Sequence, residues 1–115
     1  MTIGTSRPLE LARFYSRLLG LPVTAEESEW AQIRAPEGVA APTLNFEYER
    51  CHTRPVWPSV PGRQAASQHL DIQVDDLAAA VEWAAACGAV VAAFQPQDDV
   101  RVLVDPDGHP FCLYL

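Results

Sequence analysis

The chain has 115 residues, a length at which one hydrophobic core is normal and two would both be marginal, so a single domain over 1–115 is expected. Its composition, 49% hydrophobic and 20% charged, is that of a globular protein, and no apolar run approaches the roughly 20 residues of a membrane span. Fifteen acidic against eight basic residues give a net charge of −7, which repels phosphate backbones and removes DNA and RNA from the expected partners.

The first nine residues hold one arginine and no continuous apolar stretch, so they do not read as a secretory leader, and a cytoplasmic location is expected. A first strand is predicted at 1–4. Leu11, Phe14, Tyr15, Leu18 and Leu19 then recur at helical spacing from Pro8 to Leu19, with Ser6 as a candidate cap, Pro8 in the first turn and Gly20 as the terminator. Strands follow at 23–26, 30–34 and 43–48. The stretch 49–67 is rich in Pro and Arg, contains Trp57-Pro58, fits neither period and reads as a linker or a lid.

The pattern then repeats. After a strand at 68–74, Leu77, Val81 and Ala84 mark a helix at 76–87, with Asp75 as a cap candidate and Gly88 at its end. Strands at 89–93, 100–104 and 110–114 complete the chain. Leu9 maps to Leu77 and Gly20 to Gly88 at an offset of 68, while Pro36-Glu37-Gly38 maps to Pro106-Asp107-Gly108 at an offset of 70. The chain therefore reads as an α+β protein of two βαβββ modules, about 1–48 and about 68–115.

Strand alternation separates two faces. Leu70, Ile72 and Val74 oppose His69, Asp71 and Gln73; Leu44, Phe46 and Tyr48 oppose Asn45, Glu47 and Glu49; Phe111, Leu113 and Leu115 oppose Cys112 and Tyr114. The apolar rows belong under the helices. The polar face either lines a cleft, if the sheet curls, or is simply solvated. Gln32, Asn45, Asp71, Gln73, Arg101 and Tyr114 are the candidate polar contacts for a small organic molecule. Trp30 and Trp57 offer aromatic surface, although Trp57 equally suits a packing role that holds the linker down.

Other chemistry is thin. The cysteines Cys51, Cys87 and Cys112 are odd in number and lack CxxC spacing, so reduced thiols are expected rather than disulfides or a zinc ribbon. There is no Gly-rich phosphate loop and no GxSxG motif. A Cys112 nucleophile with His69 as its base would need the two to face each other. His109 reads as a turn residue, and Cys51-His52 would join a site only if its loop folds inward.

The segments Leu11-Ala12-Arg13-Phe14-Tyr15 through Leu18-Leu19-Gly20, His69-Leu70-Asp71-Ile72-Gln73-Val74-Asp75-Asp76-Leu77 and Asp105-Pro106-Asp107-Gly108-His109-Pro110-Phe111-Cys112-Leu113 resemble the vicinal oxygen chelate superfamily. Its members include glyoxalase I, extradiol dioxygenases and bleomycin-resistance proteins. The closing segment looks most like the glyoxalase-like subgroup. The resemblance implies a curled mixed sheet around a concave pocket, with helices outside. It also implies metal-ligand positions at the start of each module's first strand and the middle of its last.

On that layout His69 matches a ligand position, and Glu47, with Asn45 as the alternative register, falls near a second. Cys112 stands where glutamate is usual, and the fourth position falls at Met1 or just before it. His69, Glu47 and Cys112 are thus the candidate metal ligands, and the ion would be zinc if Cys112 binds it. The expected function is a small-molecule-binding protein without the complete ligand set. The alternative is a metal-dependent lyase, isomerase or dioxygenase acting on a small oxygenated substrate, with Glu47 as the candidate catalytic carboxylate; whether the chain is an enzyme stays open. A third reading makes it a partner-binding module. A homodimer is expected.

Overall fold

The periodicities resolve into ten elements over residues 1–115, all of which the computed structural model describes. They run β1 (Thr2–Thr5), α1 (Pro8–Leu19), β2 (Val23–Glu26), β3 (Trp30–Ile33), β4 (Leu44–Tyr48), β5 (Leu70–Gln73), α2 (Leu77–Cys87), β6 (Val90–Val91), β7 (Val100–Val104) and β8 (Pro110–Tyr114). Each module is βαβββ and makes its own four-stranded mixed sheet, in the orders β1-β4-β3-β2 and β5-β8-β7-β6. In both, the first strand pairs parallel with the last and the remaining pairs are antiparallel. The chain divides into two units, Met1–His52 and Thr53–Leu115.

In the first unit α1 begins at Pro8, whose missing N–H costs nothing in a first turn and whose fixed φ suits a helix. It ends at Gly20, where φ of 68° places the residue in the left-handed region that glycine enters without a Cβ clash. Leu11, Ala12, Phe14 and Tyr15 of α1 are buried with Ile3, Ala31, Ile33, Leu44 and Phe46. The Tyr15 ring stacks on Phe46 at 5.6 Å between centroids, and Phe14 meets Tyr15 edge-on at 4.9 Å. Ser6 is not the cap: Arg7 holds that position and makes no side-chain cap bond.

The second unit packs differently. α2 is mostly alanine and presents Ala84 and Cys87 as its buried residues, while Trp83 is half exposed. Its cap is Asp76 rather than Asp75, because Asp76 is the residue with extended backbone one position before the helix, and its carboxylate accepts from the Ala79 N–H at 3.0 Å. The strands expected at 68–74 and 89–93 shrink to Leu70–Gln73 and Val90–Val91.

Two further differences concern the ends of the apolar rows and the expected lid. Tyr48 and Leu115 each close an apolar row, yet both are exposed. Of the segment 49–67, residues from Thr53 onward belong to the second unit. The Arg54 guanidinium donates to the Pro106 carbonyl at 3.0 Å, Val56 bridges to Ala65, and Trp57 lies 5.9 Å from the Phe94 ring.

Arg54 and Pro55 crowd the turn at Gly108, which has φ of 98°. That turn is knit by the buried Asp105 carboxylate, which accepts from the Asp107 and His109 N–H groups at 2.9 and 3.0 Å and also meets the His109 ring at 2.9 Å. His109 is accordingly a turn residue.

Candidate functional site

The pairing registers show which residues of the two modules correspond. In β4 the apolar row is Leu44 and Phe46 and ends at exposed Tyr48; in β8, where Pro110 and Cys112 are buried as well, the apolar row is Phe111 and Leu113 and ends at exposed Leu115. Matching the rows makes Asn45 the counterpart of Cys112 and Glu47 the counterpart of Tyr114. The first strands agree: Thr2 pairs with Asn45 as Asp71 pairs with Cys112, and Gly4 pairs with Glu47 as Gln73 pairs with Tyr114. Of the two registers considered from sequence, the observed pairing therefore sets Asn45 at the last-strand position matching Cys112.

In the first unit, Thr2, Gln32, Asn45, Glu47 and Trp30 share the sheet face turned away from Ile3, Ala31 and Phe46. Gln32 and Asn45 of this face are linked to each other and to Thr24. The Gln32 amide donates to the Asn45 side-chain oxygen at 2.9 Å, and the Thr24 hydroxyl donates to the Gln32 side-chain oxygen at 3.0 Å. Glu47 is exposed on β4, opposite Trp30.

In the second unit the same face carries reactive groups. His69 precedes β5 and Asp71 lies two residues on, so alternation sends both to one side, where Asp71 stands opposite Cys112. One potential ligand atom from each of His69, Asp71 and Cys112 lies within 4.8 Å of the others. A cleft of about 420 Å³ opens here, lined by these three residues with Gln97, Asp99, Val100, Tyr114 and Leu115.

Cys112 is 8% exposed. Its burial pushes the thiol up from 9.0 to about 11, and the Asp71 charge and a hydrogen bond from the thiol to the Asp71 carboxylate push the same way. At neutral pH the group is therefore a protonated donor, not a thiolate nucleophile.

The candidates distribute as follows. His69, Asp71, Cys112 and Tyr114 come together at the cleft, and Gln73 lies next along the same strand, exposed. Gln32 and Asn45 form the hydrogen-bonded ladder of the first unit, with Glu47 beside it. Trp57 packs on Phe94. Arg101 pairs with Leu113, which puts it on the sheet face under α2 and away from Cys112.

Sequence reasoning passed over Gln97 and Asp99, which stand in the β6–β7 connection and carry no periodic signal. It also named Asp71 as a ligand contact without grouping it with His69 and Cys112. The two-residue spacing from His69 and the parallel pairing of first and last strands were the available signals.

Three donors of this kind suit zinc, which takes imidazole nitrogen, thiolate sulfur and carboxylate oxygen at about 2.0–2.3 Å. Tetrahedral ligands then stand about 3.5 Å apart, so a spacing within 4.8 Å calls for side-chain adjustment and for loss of the Cys112 proton.

The family model for the glyoxalase-like domain matches residues 1–114. The chain belongs to the glyoxalase-like domain family, within the vicinal oxygen chelate superfamily. No curated protein matches it in sequence. Among solved structures, a glyoxalase/bleomycin resistance protein/dioxygenase family enzyme from Burkholderia phytofirmans is 16% identical with a TM-score of 0.72, over 98% of this chain and 93% of that one. A glyoxalase family protein from Enterococcus faecalis is 19% identical with a TM-score of 0.70, over 100% and 94%. A bleomycin-binding protein complexed with bleomycin is 19% identical with a TM-score of 0.63, over 98% and 92%. At these identities the likeness concerns the fold.

Proposed function

We propose that this glyoxalase-like domain binds a small organic molecule in the cleft of its second unit, with His69, Asp71, Cys112 and Tyr114 as the polar contacts. The observation that supports this reading is the convergence of those side chains on one cleft, while in the first unit Asn45, the residue matching Cys112, is taken up in a hydrogen bond with Gln32. That a protein of the same fold is known complexed with bleomycin agrees with a small-molecule role. Asp71, Gln97, Asp99 and Tyr114 supply acceptors and donors, and the protonated Cys112 is a weak donor held by Asp71. The test is a small-molecule library screened by protein-observed NMR. Ligands that shift His69, Asp71 and Cys112 and are lost in Asp71→Asn support the reading; a screen in which no ligand moves those resonances overturns it.

The cluster of three donors favours a second reading, a zinc-type site held by His69, Asp71 and Cys112. A bound divalent ion would polarise a substrate oxygen. The chain's own part would be to release the Cys112 proton and to keep Asp71 oriented. Elemental analysis of tag-free protein beside Cys112→Ala and His69→Ala decides between the two readings. Near-stoichiometric metal lost in both variants selects the metal site, and no metal after incubation with zinc, nickel, manganese or iron selects the metal-free binder.

We further propose that the 115 residues act as one domain, that two copies associate, and that the protein works in the cytoplasm, a setting suited to three free cysteines. No helix is long and apolar enough to cross a membrane. Sedimentation equilibrium at micromolar concentration is expected to give the mass of two chains, and the mass of one chain would contradict the dimer.

A further inference from the structure

Arg101 occupies an unexpected place. The residue that corresponds to it in the first unit is Ala31: Ala31 is the neighbour of Gln32 opposite Phe46, as Arg101 is the neighbour of Val102 opposite Leu113. Ala31 is fully buried beneath α1. An arginine stands at the equivalent position on β7, facing an α2 that is mostly alanine. A second cleft of about 420 Å³ opens there, lined by Leu77, Ala78, Val81, Glu82 and Arg101, on the opposite face of the sheet from Cys112.

Two features of that cleft point to a ligand class. The first is that the guanidinium is held in place. Its Nη1 donates to the carbonyls of Gln97, Asp98 and Val100 at 3.2, 3.0 and 2.8 Å, and the Nε and Nη2 donors take no part in those bonds. A guanidinium fixed at one nitrogen keeps its other edge oriented for a carboxylate. The second is that Glu82 lines the same cleft without an ion pair to Arg101, and the apolar groups of Leu77, Ala78 and Val81 line it with them. A cation-binding carboxylate, an anion-binding guanidinium and an aliphatic wall are complementary to one kind of small molecule.

We propose that the α2–β7 cleft binds a free aliphatic α-amino acid. Its carboxylate meets the open edge of Arg101, its ammonium meets Glu82, and its side chain lies on Leu77 and Val81. This site is separate from the cleft at Cys112 and does not depend on it.

The test is an NMR titration with leucine and with two analogues that each lack one charge, 4-methylpentanoate and 3-methylbutylamine. Leucine is expected to shift the Leu77 and Val81 methyl groups and the Arg101 Nε–H. Each analogue is expected to bind about tenfold more weakly, the loss of one charge-assisted pair. Glu82 is exposed, so Glu82→Gln leaves the fold intact; it is expected to weaken leucine about tenfold and leave 4-methylpentanoate unchanged. Asp71→Asn is expected to leave leucine binding as it was, which separates this proposal from the reading of the other cleft. The absence of leucine shifts at millimolar concentration, equal affinity for leucine and 4-methylpentanoate, or a Glu82→Gln variant that binds leucine normally would each overturn it.

Discussion

The two units share an order of elements but spend their residues differently. The first places large side chains beneath its helix and links Gln32 and Asn45 of its other face to each other and to Thr24. The second has alanines along its helix, an arginine where the first has buried Ala31, and Asp71 and Cys112 where the first has Thr2 and Asn45. The first unit fills the space beneath its helix and has its cleft, of about 560 Å³, at the start of α1 around Arg7, Pro8, Arg13 and Glu29, while the second has clefts on both faces of its sheet. Small changes at matched positions are enough to produce that division, because the register holds each substituted side chain on the same face.

The largest expected effect tests the packing half of this comparison. Tyr15 is 1% exposed and stacked on Phe46, while Trp83, its counterpart at an offset of 68, is 50% exposed. Tyr15→Ala should cost about 3–5 kcal/mol in urea unfolding, as a large aromatic lost from a core does, and Trp83→Ala roughly 1 kcal/mol or less. Similar costs at both sites would break the comparison.

The matched turns sharpen it. Gly38 and Gly108 both have positive φ, but a Cβ at Gly38 meets nothing within 4 Å, whereas one at Gly108 collides with Arg54 and approaches Pro55 at 3.1 Å. Gly38→Ala should cost about 1–2 kcal/mol from the backbone alone. Gly108→Ala should cost at least about 2–3 kcal/mol, since the contact adds to the same backbone strain. Thermal melts of the two variants give the ratio.

A smaller effect follows from Cys112. Its pKa in the folded chain is about 11, against an ordinary value of 9.0. The folded state therefore holds the proton more tightly. The stabilisation is fully present below the unfolded value and is lost as pH rises through about 11. Between pH 8 and 11 the wild type should lose on the order of 2 kcal/mol more stability than Cys112→Ala. Mass-resolved alkylation at pH 8 should label exposed Cys51 and spare Cys112. The smallest effect is at the α2 cap, where Asp76→Ala should cost about 1 kcal/mol in the same unfolding assay.

Much of this was legible in the chain. The helix bounded by Pro8 and Gly20 appears at its expected limits because proline and glycine act locally. The alternation of His69, Asp71 and Gln73 against Leu70 and Ile72 fixes their faces without any tertiary information. Less legible was anything set by pairing. Whether Asn45 or Glu47 matches Cys112 depends on the β1–β4 register, and Arg101 could be sent to the α2 face only once its pairing with Leu113 was known. The α2 cap moved by one residue for a related reason, since Asp75 and Asp76 are chemically alike and backbone geometry selects between them. Gln97 and Asp99 lie in a connection without periodicity and joined the cleft through the fold alone.

The central claim is that ligand chemistry resides on the polar face of the second unit. Backbone and side-chain resonances followed during titration with a small molecule that leaves the Leu77 and Val81 methyl groups unshifted test it most directly. The account predicts that His69, Asp71, Cys112 and Tyr114 shift and that Asp71→Asn abolishes the response. Shifts confined to Thr2, Gln32, Asn45 and Glu47, undisturbed by Asp71→Asn, would contradict it.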